Sequence, residues 1–191
     1  MELPPGPPLG NAQHHDIYLS GREAALQYAA DNGFDVDCCV ELPVQWGDMD
    51  SMRHVNNARY LRFLETGRMV HMRACTADIR NDEVKKALNG GTEGVGFIFG
   101  EVKYRYLRPV VYPDNILVMH KTVSVSRRKM IIQGVIYSYA QQAAAGVCDG
   151  IMVAYDYDAQ RSAEWPSELV EAMKARGAAF DESAGKETAK L

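Results

Sequence analysis

The sequence lacks a long hydrophobic run, an excess of positive charge and a paired-cysteine motif. A transmembrane helix needs about 20 consecutive apolar residues, and no stretch of the chain provides them. The 191 residues carry a net charge of -4, so a broad basic surface for nucleic acid is not expected. These absences argue against a membrane-spanning protein and a nucleic-acid binder. An anionic ligand would have to be held by a local group of Arg and Lys.

Cysteine usage predicts an intracellular protein. No C-x-x-C spacing links Cys38, Cys39, Cys75 and Cys148, which favours reduced thiols over a zinc site or a disulfide scaffold. The segment Met1–Gly10 is rich in proline and has neither the features of a secretory signal nor the Arg-rich character of a mitochondrial transit peptide. We therefore expect a cytoplasmic protein, with an organelle as the alternative.

Turn residues and changes in hydrophobic period divide the chain into four segments. The first is rich in proline and polar side chains, so we expect it to be disordered. Ser20 and Glu23 then have the spacing of a capping box, which predicts a short helix through Ala30. The predicted boundaries are a disordered tail at 1–18, a helical extension at 19–37, the main domain at 38–160, and a C-terminal helix with a disordered end at 161–191.

The main domain has the pattern of one strand, one long helix and four further strands. An apolar stripe at three- and four-residue steps predicts a helix at 57–74. Because one helix cannot bury such a stripe alone, a sheet should wrap around it, which is an α+β arrangement. Period-two alternation and turn residues predict strands at 37–46, 95–107, 116–125, 130–140 and 147–157, a helical turn at 82–88 and a helix at 167–176.

The segment Trp46–Tyr60, WGDMDSMRHVNNARY, concentrates the groups that could carry chemistry. It joins the first strand to the start of the long helix and holds Asp48, Asp50 and His54 beside two asparagines. Free N–H groups at a helix start carry partial positive charge. A site at this position can therefore hold a carboxylate and polarise a carbonyl oxygen.

This segment resembles the D-x-D-x-x-x-H-V-N-N-x-x-Y-L signature of the 4-hydroxybenzoyl-CoA thioesterase family of hotdog proteins. It is also similar to the corresponding segment of plant acyl-ACP thioesterases. The resemblance covers about residues 38–157, including YRYLRP at 104–109. It implies a hotdog fold, in which an antiparallel sheet wraps one long central helix. The implied reaction is hydrolysis of acyl-CoA or acyl-carrier-protein thioesters to free acid and thiol.

The resemblance also assigns roles by position. Asp50 matches the catalytic aspartate of the family, which acts as nucleophile or as base for a water molecule. His54 matches a histidine of many members, Asn57 is a candidate for positioning substrate or water, and Glu65 lies where some hotdog thioesterases carry an acidic residue. Plant acyl-ACP enzymes have a catalytic asparagine where this chain has Met52. A bacterial-type site centred on the aspartate is therefore the better analogue.

Each of these residues also has an ordinary structural interpretation. Asp48 and Asp50 are typical turn residues that bond backbone amides, and His54 could simply hydrogen-bond the loop. Asn56 and Asn57 could cap the helix, and Glu65 could pair with an arginine at helical spacing, Arg62 or Arg68. A metal on the two aspartates and the histidine is an alternative, but the family needs none. We expect no metal and no cofactor.

A single carboxylate beside a polarised carbonyl is sufficient for thioester hydrolysis. The conjugate acid of a thiolate leaving group has a pKa of about 8.5, so no strong general acid is needed. The absence of a G-x-S-x-G elbow argues against an α/β-hydrolase. A hotdog hydratase or dehydratase is an alternative, although the H-F-P-G type of motif is absent. A non-catalytic acyl-CoA-binding hotdog module is the other alternative.

The substrate and the assembly follow from charge and from sheet edges. The expected substrate is either acyl-CoA or acyl-ACP. A group of Arg and Lys side chains could bind its phosphates, or these side chains could simply face solvent. Exposed sheet edges invite pairing, so we expect a homodimer or tetramer, and the resemblance places the active site at the subunit interface. The candidate phosphate-binding residues are Arg105, Arg108, Arg127, Arg128 and Lys129.

Overall fold

The structure is a computed structural model, and it describes residues 12–181 of the chain. Within this range no helix has the length and apolar character that crossing a membrane requires. Short 3-10 turns lie at Val36–Cys38 and Trp46–Asp48. The helices and strands are α1 Ala12–Asp31, β1 Cys39–Pro43, α2 Asn57–Cys75, α3 Asp82–Leu88, β2 Val95–Tyr106, β3 Asn115–Val125, β4 Lys129–Ser138, β5 Ala143–Asp156, β6 Arg161–Ser162, α4 Ser167–Ala175 and β7 Ala179–Phe180.

One sheet organises the fold, with the strand order β1-β3-β4-β5-β2. The strands along this path are antiparallel, whereas the short β7 pairs in parallel with β3. The sheet curls around α2, whose apolar stripe packs on its inner face. The predicted α+β arrangement of a sheet around one long helix is confirmed.

Strand β3 shows why the sheet can be covered on both sides. Side chains alternate across a strand, and here both faces are apolar. Ile116 and Val118 pack toward α2, whereas Leu117 and Met119 pack on the opposite face with α1. A strand that is buried on both faces has a continuous apolar run. This accounts for the sequence ILVM at the start of β3.

Helix α1 is longer than the sequence predicts. It begins at Ala12, so residues 12–18, which were predicted to be disordered, are helical, and residues 1–11 lie outside the described range. The predicted N-cap at Ser20 is also wrong, because this residue lies inside the helix and its hydroxyl donates to the carbonyl of Ile17 at 3.3 Å.

Tertiary contacts begin before the predicted start of the helix, since the ring of Tyr18 packs on that of Tyr139 with centroids 5.8 Å apart. Gly21, Ala25 and Ala29 recur at four-residue steps and are buried. A Cβ atom at Gly21 would lie only 2.5 Å from the Cβ of Tyr139. Small side chains therefore let α1 press on the outer face of the sheet, and this contact supports a helix that local capping signals do not predict.

The remaining elements follow the predicted ranges, with four exceptions. Strand β5 begins at Ala143, four residues before its predicted start, and the short β6 is not predicted. Strand β1 is shorter than 37–46, because 3-10 turns form on both sides of it. Ala179 and Phe180, predicted to belong to a disordered end, pair with Ser124 and Val125 of β3. Residues 182–191 of that predicted end lie outside the described residues.

The interior around α2 divides into two clusters. Tyr60 and Leu64, in the N-terminal half of α2, belong to one cluster, and Met72 and Cys75, in the C-terminal half, belong to the other. Between them, α2 approaches β3 closely at Gly67, where a Cβ would lie 2.6 Å from Val118 Cγ1. The two ends of α2 therefore lie in separate surroundings.

Candidate active site

Asp50 lies in a tight loop between β1 and α2. Met49 and Val55 pair across the neck of this loop, and the Asp50 N–H donates to the carbonyl of His54 at 3.0 Å. Arg53 has a φ of 66°, a left-handed conformation that costs a non-glycine residue about 1–2 kcal/mol. Strain of this kind persists only where the surrounding structure enforces it, and it is common at functional sites.

The Asp50 carboxylate is half-buried and accepts two hydrogen bonds. The backbone N–H of Met52 donates to Oδ1 at 2.8 Å, and the side-chain amide of Asn56 donates to Oδ2 at 3.4 Å. An ionised carboxylate offers about four acceptor positions. The loop therefore orients Asp50 and leaves capacity for a water molecule or a substrate atom.

Asp48 has the structural role that the sequence predicts. Its side chain is buried, and it accepts from the N–H of Gln45 at 2.8 Å and from Arg59 Nε at 2.7 Å. Its carbonyl accepts from the N–H of Asn56 at 2.9 Å. These bonds tie the loop to the first turns of α2 and so hold Asp50 next to the helix start.

His54 is partly buried beside the same loop. Its Nδ1 lies 3.2 Å from the carbonyl oxygen of Val55. Because a carbonyl can only accept, Nδ1 carries a proton, and Nε2 is the basic nitrogen of the neutral ring. The bond supports the structural interpretation of His54 and also leaves Nε2 for chemistry.

The two asparagines at the start of α2 have different roles. Asn56 is the N-cap, since its side-chain oxygen accepts from the N–H of Ala58 at 2.9 Å. Asn57 is the first residue of the helix and is exposed. Its carbonyl accepts from the Tyr106 hydroxyl at 3.1 Å, which links the end of β2 to the helix start. The cap is therefore Asn56 and not Asn57.

A cleft of about 220 Å³ lies between α2 and the sheet. Leu61, Leu64 and Phe99 give it apolar walls. Glu65 lies at its exposed rim and pairs with Arg62 at 2.7 Å, so the predicted helical ion pair is confirmed. Glu65 therefore borders a cavity, as a residue that contacts substrate would.

Two polar groups of this cleft were not predicted from the sequence. His120 is buried in a space that two glycines provide, since a Cβ at Gly67 would lie 3.0 Å from its Nδ1 and a Cβ at Gly134 would lie 2.8 Å from its Nε2. Arg68 lies over the ring of Phe99 at 4.2 Å. The sequence feature that could have indicated His120 is a histidine inside the apolar run of β3.

Neither group is satisfied by the protein that surrounds it. In the described part of the chain, His120 Nδ1 and Arg68 Nε are buried without a hydrogen-bond partner. Burial lowers the pKa of His120 to about 3, and burial also lowers the pKa of Arg68. Unsatisfied buried groups require an explanation such as a ligand or ordered water. The cleft therefore presents polar atoms to an occupant.

The candidate phosphate-binding cations fall into two groups. Arg105 and Arg108 are exposed near the end of β2 that contacts the start of α2, on the same side as Asp50. The turn 127–129 lies at the far end of β3, whose 11 residues span about 35 Å. Arg128 there pairs with exposed Glu164 at 3.7 Å. Within one chain, the structure does not bring this turn to Asp50.

Exposed apolar side chains surround the Asp50 loop. Trp46 and Met52 are each 74% exposed, and Trp46 contacts Tyr112 edge to face with ring centroids 5.9 Å apart. Single exposed apolar residues are ordinary, but a group of them marks an interaction surface. The loop therefore presents a carboxylate within an apolar surface.

The curled antiparallel sheet, the long inner helix and the acidic loop at the helix start define a hotdog-fold thioester hydrolase. The family model of the thioesterase-like superfamily matches residues 44–173, and the chain belongs to this superfamily. No curated protein matches the chain.

Solved structures show the same fold. The chain is similar to a DHNA-CoA thioesterase from Staphylococcus aureus, at 14% identity and a TM-score of 0.60, over 72% of this chain and 88% of that chain. It is similar to a thioesterase from Thermus thermophilus complexed with coenzyme A and Zn, at 23% identity and a TM-score of 0.57, over 72% and 92% of the two chains. It is also similar to the PA2801 protein of Pseudomonas aeruginosa, at 24% identity and a TM-score of 0.58, over 71% and 96%. The hotdog fold predicted from the sequence is confirmed.

Proposed function

We propose that the protein hydrolyses acyl-CoA or acyl-carrier-protein thioesters to free acid and thiol, with Asp50 as the principal catalytic residue. One observation carries this proposal. The Asp50 carboxylate is held by a strained loop at the start of α2, and its hydrogen bonds leave acceptor capacity. Asn56 already accepts from the N–H groups of Ala58 and Arg59, so the polarisation of the thioester carbonyl is assigned to the positive end of the α2 dipole.

Two routes use this carboxylate. As a general base, Asp50 takes a proton from water, the hydroxide adds to the carbonyl carbon, and the C–S bond breaks to release thiolate and acid. As a nucleophile, its oxygen attacks the carbonyl carbon and expels thiolate, and water then hydrolyses the mixed anhydride. His54 Nε2 and Asn57 are proposed to orient the water molecule or the substrate in either route.

The acyl group is proposed to lie along α2 in the cleft. Its apolar walls suit an acyl chain, and Glu65 at the rim would contact the acyl part of the substrate. Arg68 Nε would donate to a polar atom of the occupant, and His120 Nδ1 would donate or accept according to its tautomer. Coenzyme A in the complex of the Thermus thermophilus thioesterase supports a CoA thioester as the substrate of this chain.

Release of free thiol tests the proposal. We expect the wild-type protein to release coenzyme A from at least one member of a panel of aliphatic and aromatic acyl-CoAs, far above the spontaneous rate. The same acyl groups on a carrier protein test the choice of donor. Tight binding without thiol release would contradict hydrolysis and support an acyl-binding module, and a changed acyl group on intact CoA would support a hydratase.

Strand β2 supports an assembly. In the described part of the chain it pairs on one side only, with β5, and its exposed side chains include Ile98 and Val102. A long apolar edge strand is a template for pairing. Because α1 covers the outer face of the sheet, we propose that the β2 edges of two subunits pair into one continuous sheet. A tetramer of two such dimers is the alternative.

Antiparallel pairing of two β2 strands would also complete the proposed phosphate site. The Val95 end of one β2 would lie beside the Tyr106 end of the other. The turn 127–129 lies at the Val95 end, because Lys129 aligns with Val153 and Val153 aligns with Ile98. In the paired dimer, the basic turn 127–129 of one subunit would therefore lie on the same side as Asp50 of the other subunit.

A charge on the β2 edge should break the dimer. We expect Ile98→Lys to shift the mass from dimer to monomer in light scattering and to reduce thiol release, because a buried ammonium opposes edge pairing. Ile131→Lys is the matched control, since Ile131 is 43% and Ile98 is 37% exposed, and it should remain dimeric. A monomeric wild type, or a dimeric Ile98→Lys variant, would contradict the interface.

The cellular location is a further part of the proposal. All four cysteines are free thiols in the structure, and free thiols persist most readily in a reducing compartment. We therefore propose that the protein acts in the cytoplasm, with an organelle as the alternative.

A further inference from the structure

Three side chains that can ligate a metal lie together at the end of α2 opposite the Asp50 loop. Cys38 ends the 3-10 turn before β1, and His71 and Cys75 belong to α2. One ligand atom from each lies within 4.8 Å of the others, and none of the three residues is more than 3% exposed. The cluster is therefore buried, and it takes no part in the proposed hydrolysis.

The spacing suits a tetrahedral zinc ion. Residues four apart on a helix share a face, which brings His71 and Cys75 together, and Cys75 Sγ lies 3.6 Å from His71 Nδ1. Zinc–sulfur and zinc–nitrogen bonds of about 2.3 and 2.0 Å place such donors about 3.6 Å apart. The sulfur is therefore at a suitable distance from Nδ1, but it also lies 3.7 Å from Nε2, so the imidazole would have to rotate to aim the Nδ1 lone pair at the ion.

A neighbouring hydroxyl orients the imidazole. His71 Nε2 lies 2.9 Å from Thr122 Oγ1, and this hydroxyl in turn donates to Met173 Sδ at 3.3 Å. When the Thr122 proton points to this sulfur, Oγ1 accepts from Nε2, and Nδ1 then keeps its lone pair for a ligand. A second hydrogen bond of this kind fixes the tautomer of metal-binding histidines.

The charges around the cluster also favour a cation. Two thiolates and a neutral imidazole leave no net charge around one divalent ion, whereas two thiolates alone would leave buried negative charge. Arg176 Nη1 lies 3.8 Å from Cys38 Sγ, but this guanidinium is itself neutralised by Asp35.

We propose that Cys38, His71 and Cys75 bind one Zn²⁺ ion, with water in the fourth position. Thiolate and imidazole are the ligands that zinc prefers. The ion would fasten the segment before β1 to the C-terminal half of α2. The 19 residues of α2 span about 28 Å, so the ion would act on stability and not on the reacting thioester.

Metal analysis of the purified protein tests this site. We expect about one zinc per chain, and we expect the apoprotein to bind Co²⁺ with the charge-transfer absorption of a thiolate ligand. Cys38→Ser should weaken Zn²⁺ binding by more than about 100-fold, and Thr122→Val by about 10-fold, as expected for a ligand and for its orienting partner. Cys39→Ser is the matched control and should bind normally.

If the variants do not fold, experiments on the wild-type chain still test the zinc site. Equimolar Zn²⁺ should raise the Tm of the apoprotein and protect two thiols from alkylation. An apoprotein that takes up neither Zn²⁺ nor Co²⁺ would overturn the proposal. A Cys38–Cys75 disulfide in the unreduced purified protein, found by mass spectrometry, would overturn it as well.

Discussion

Replacement of Asp50 with Asn should lower kcat for thiol release by about 100- to 10,000-fold, the usual contribution of a positioned acid or base. The amide has the shape of the carboxylate but can neither accept the proton of water nor act as an anionic nucleophile. Its oxygen can still accept from the N–H of Met52, as Oδ1 of Asp50 does at 2.8 Å. We therefore expect the loop to fold normally, with Tm and KM close to those of the wild type.

The same substitution two residues earlier is the control. Asp48 is buried and accepts from Gln45 and Arg59, so Asp48→Asn should cost about 1–3 kcal/mol of unfolding free energy, as expected when a charge-assisted bond is lost. Asp50→Asn should thus change kcat, and Asp48→Asn should mainly change Tm. If Asp50→Asn keeps kcat within threefold while Glu65→Gln abolishes turnover, the catalytic carboxylate is Glu65 and the proposal for Asp50 is wrong.

Acid should destabilise the protein through His120. Burial, with smaller contributions from His71 and Arg68, lowers the pKa of His120 from 6.5 to about 3. Between these values the unfolded chain binds a proton that the folded chain does not bind. Stability is therefore full above pH 6.5 and falls by about 1.4 kcal/mol for each unit below it. Across the whole window the loss is about 5 kcal/mol, comparable with the total stability of many domains.

Urea unfolding from pH 7.5 to pH 4 measures this effect as a difference between variants. His120→Gln removes the buried imidazole, so its unfolding free energy should fall less steeply with acid than that of the wild type. His54→Gln removes a partly exposed imidazole and keeps His120, so it should retain the steep fall. Parallel curves for the wild type and His120→Gln would contradict a neutral buried histidine. If His120→Gln does not fold, NMR titration of the wild-type His120 ring gives the same answer.

Local sequence patterns were sufficient for most of the fold. The apolar stripe from Tyr60 to Ala74 and the period-two strands after Val95 depend on the geometry of a single helix or strand, and this geometry acts over a few residues. The loop from Asp48 to Asn56 could be located for the same reason, because its turn residues and the helix cap are close neighbours in the chain. The distinction between Asn56 as cap and Asn57 as exposed first residue needed the structure.

Contacts between distant residues decided the remainder. Helix α1 begins before Ser20, where Tyr18 and Gly21 both contact Tyr139 of the sheet, and no capping signal encodes those contacts. The surroundings of His120 depend on glycines of two other elements, so its burial and its lowered pKa have no local pattern.

By itself, the sequence determined the helix, the strands and the acidic loop, because hydrophobic periodicity and turn chemistry are local. Only the tertiary structure brought Cys38 beside His71 and Cys75, formed the cleft along α2 and separated the turn 127–129 from Asp50 within one chain. Those arrangements depend on how α2 lies in the curled sheet, and packing between elements sets this position by close contacts such as that of Gly67 with Val118.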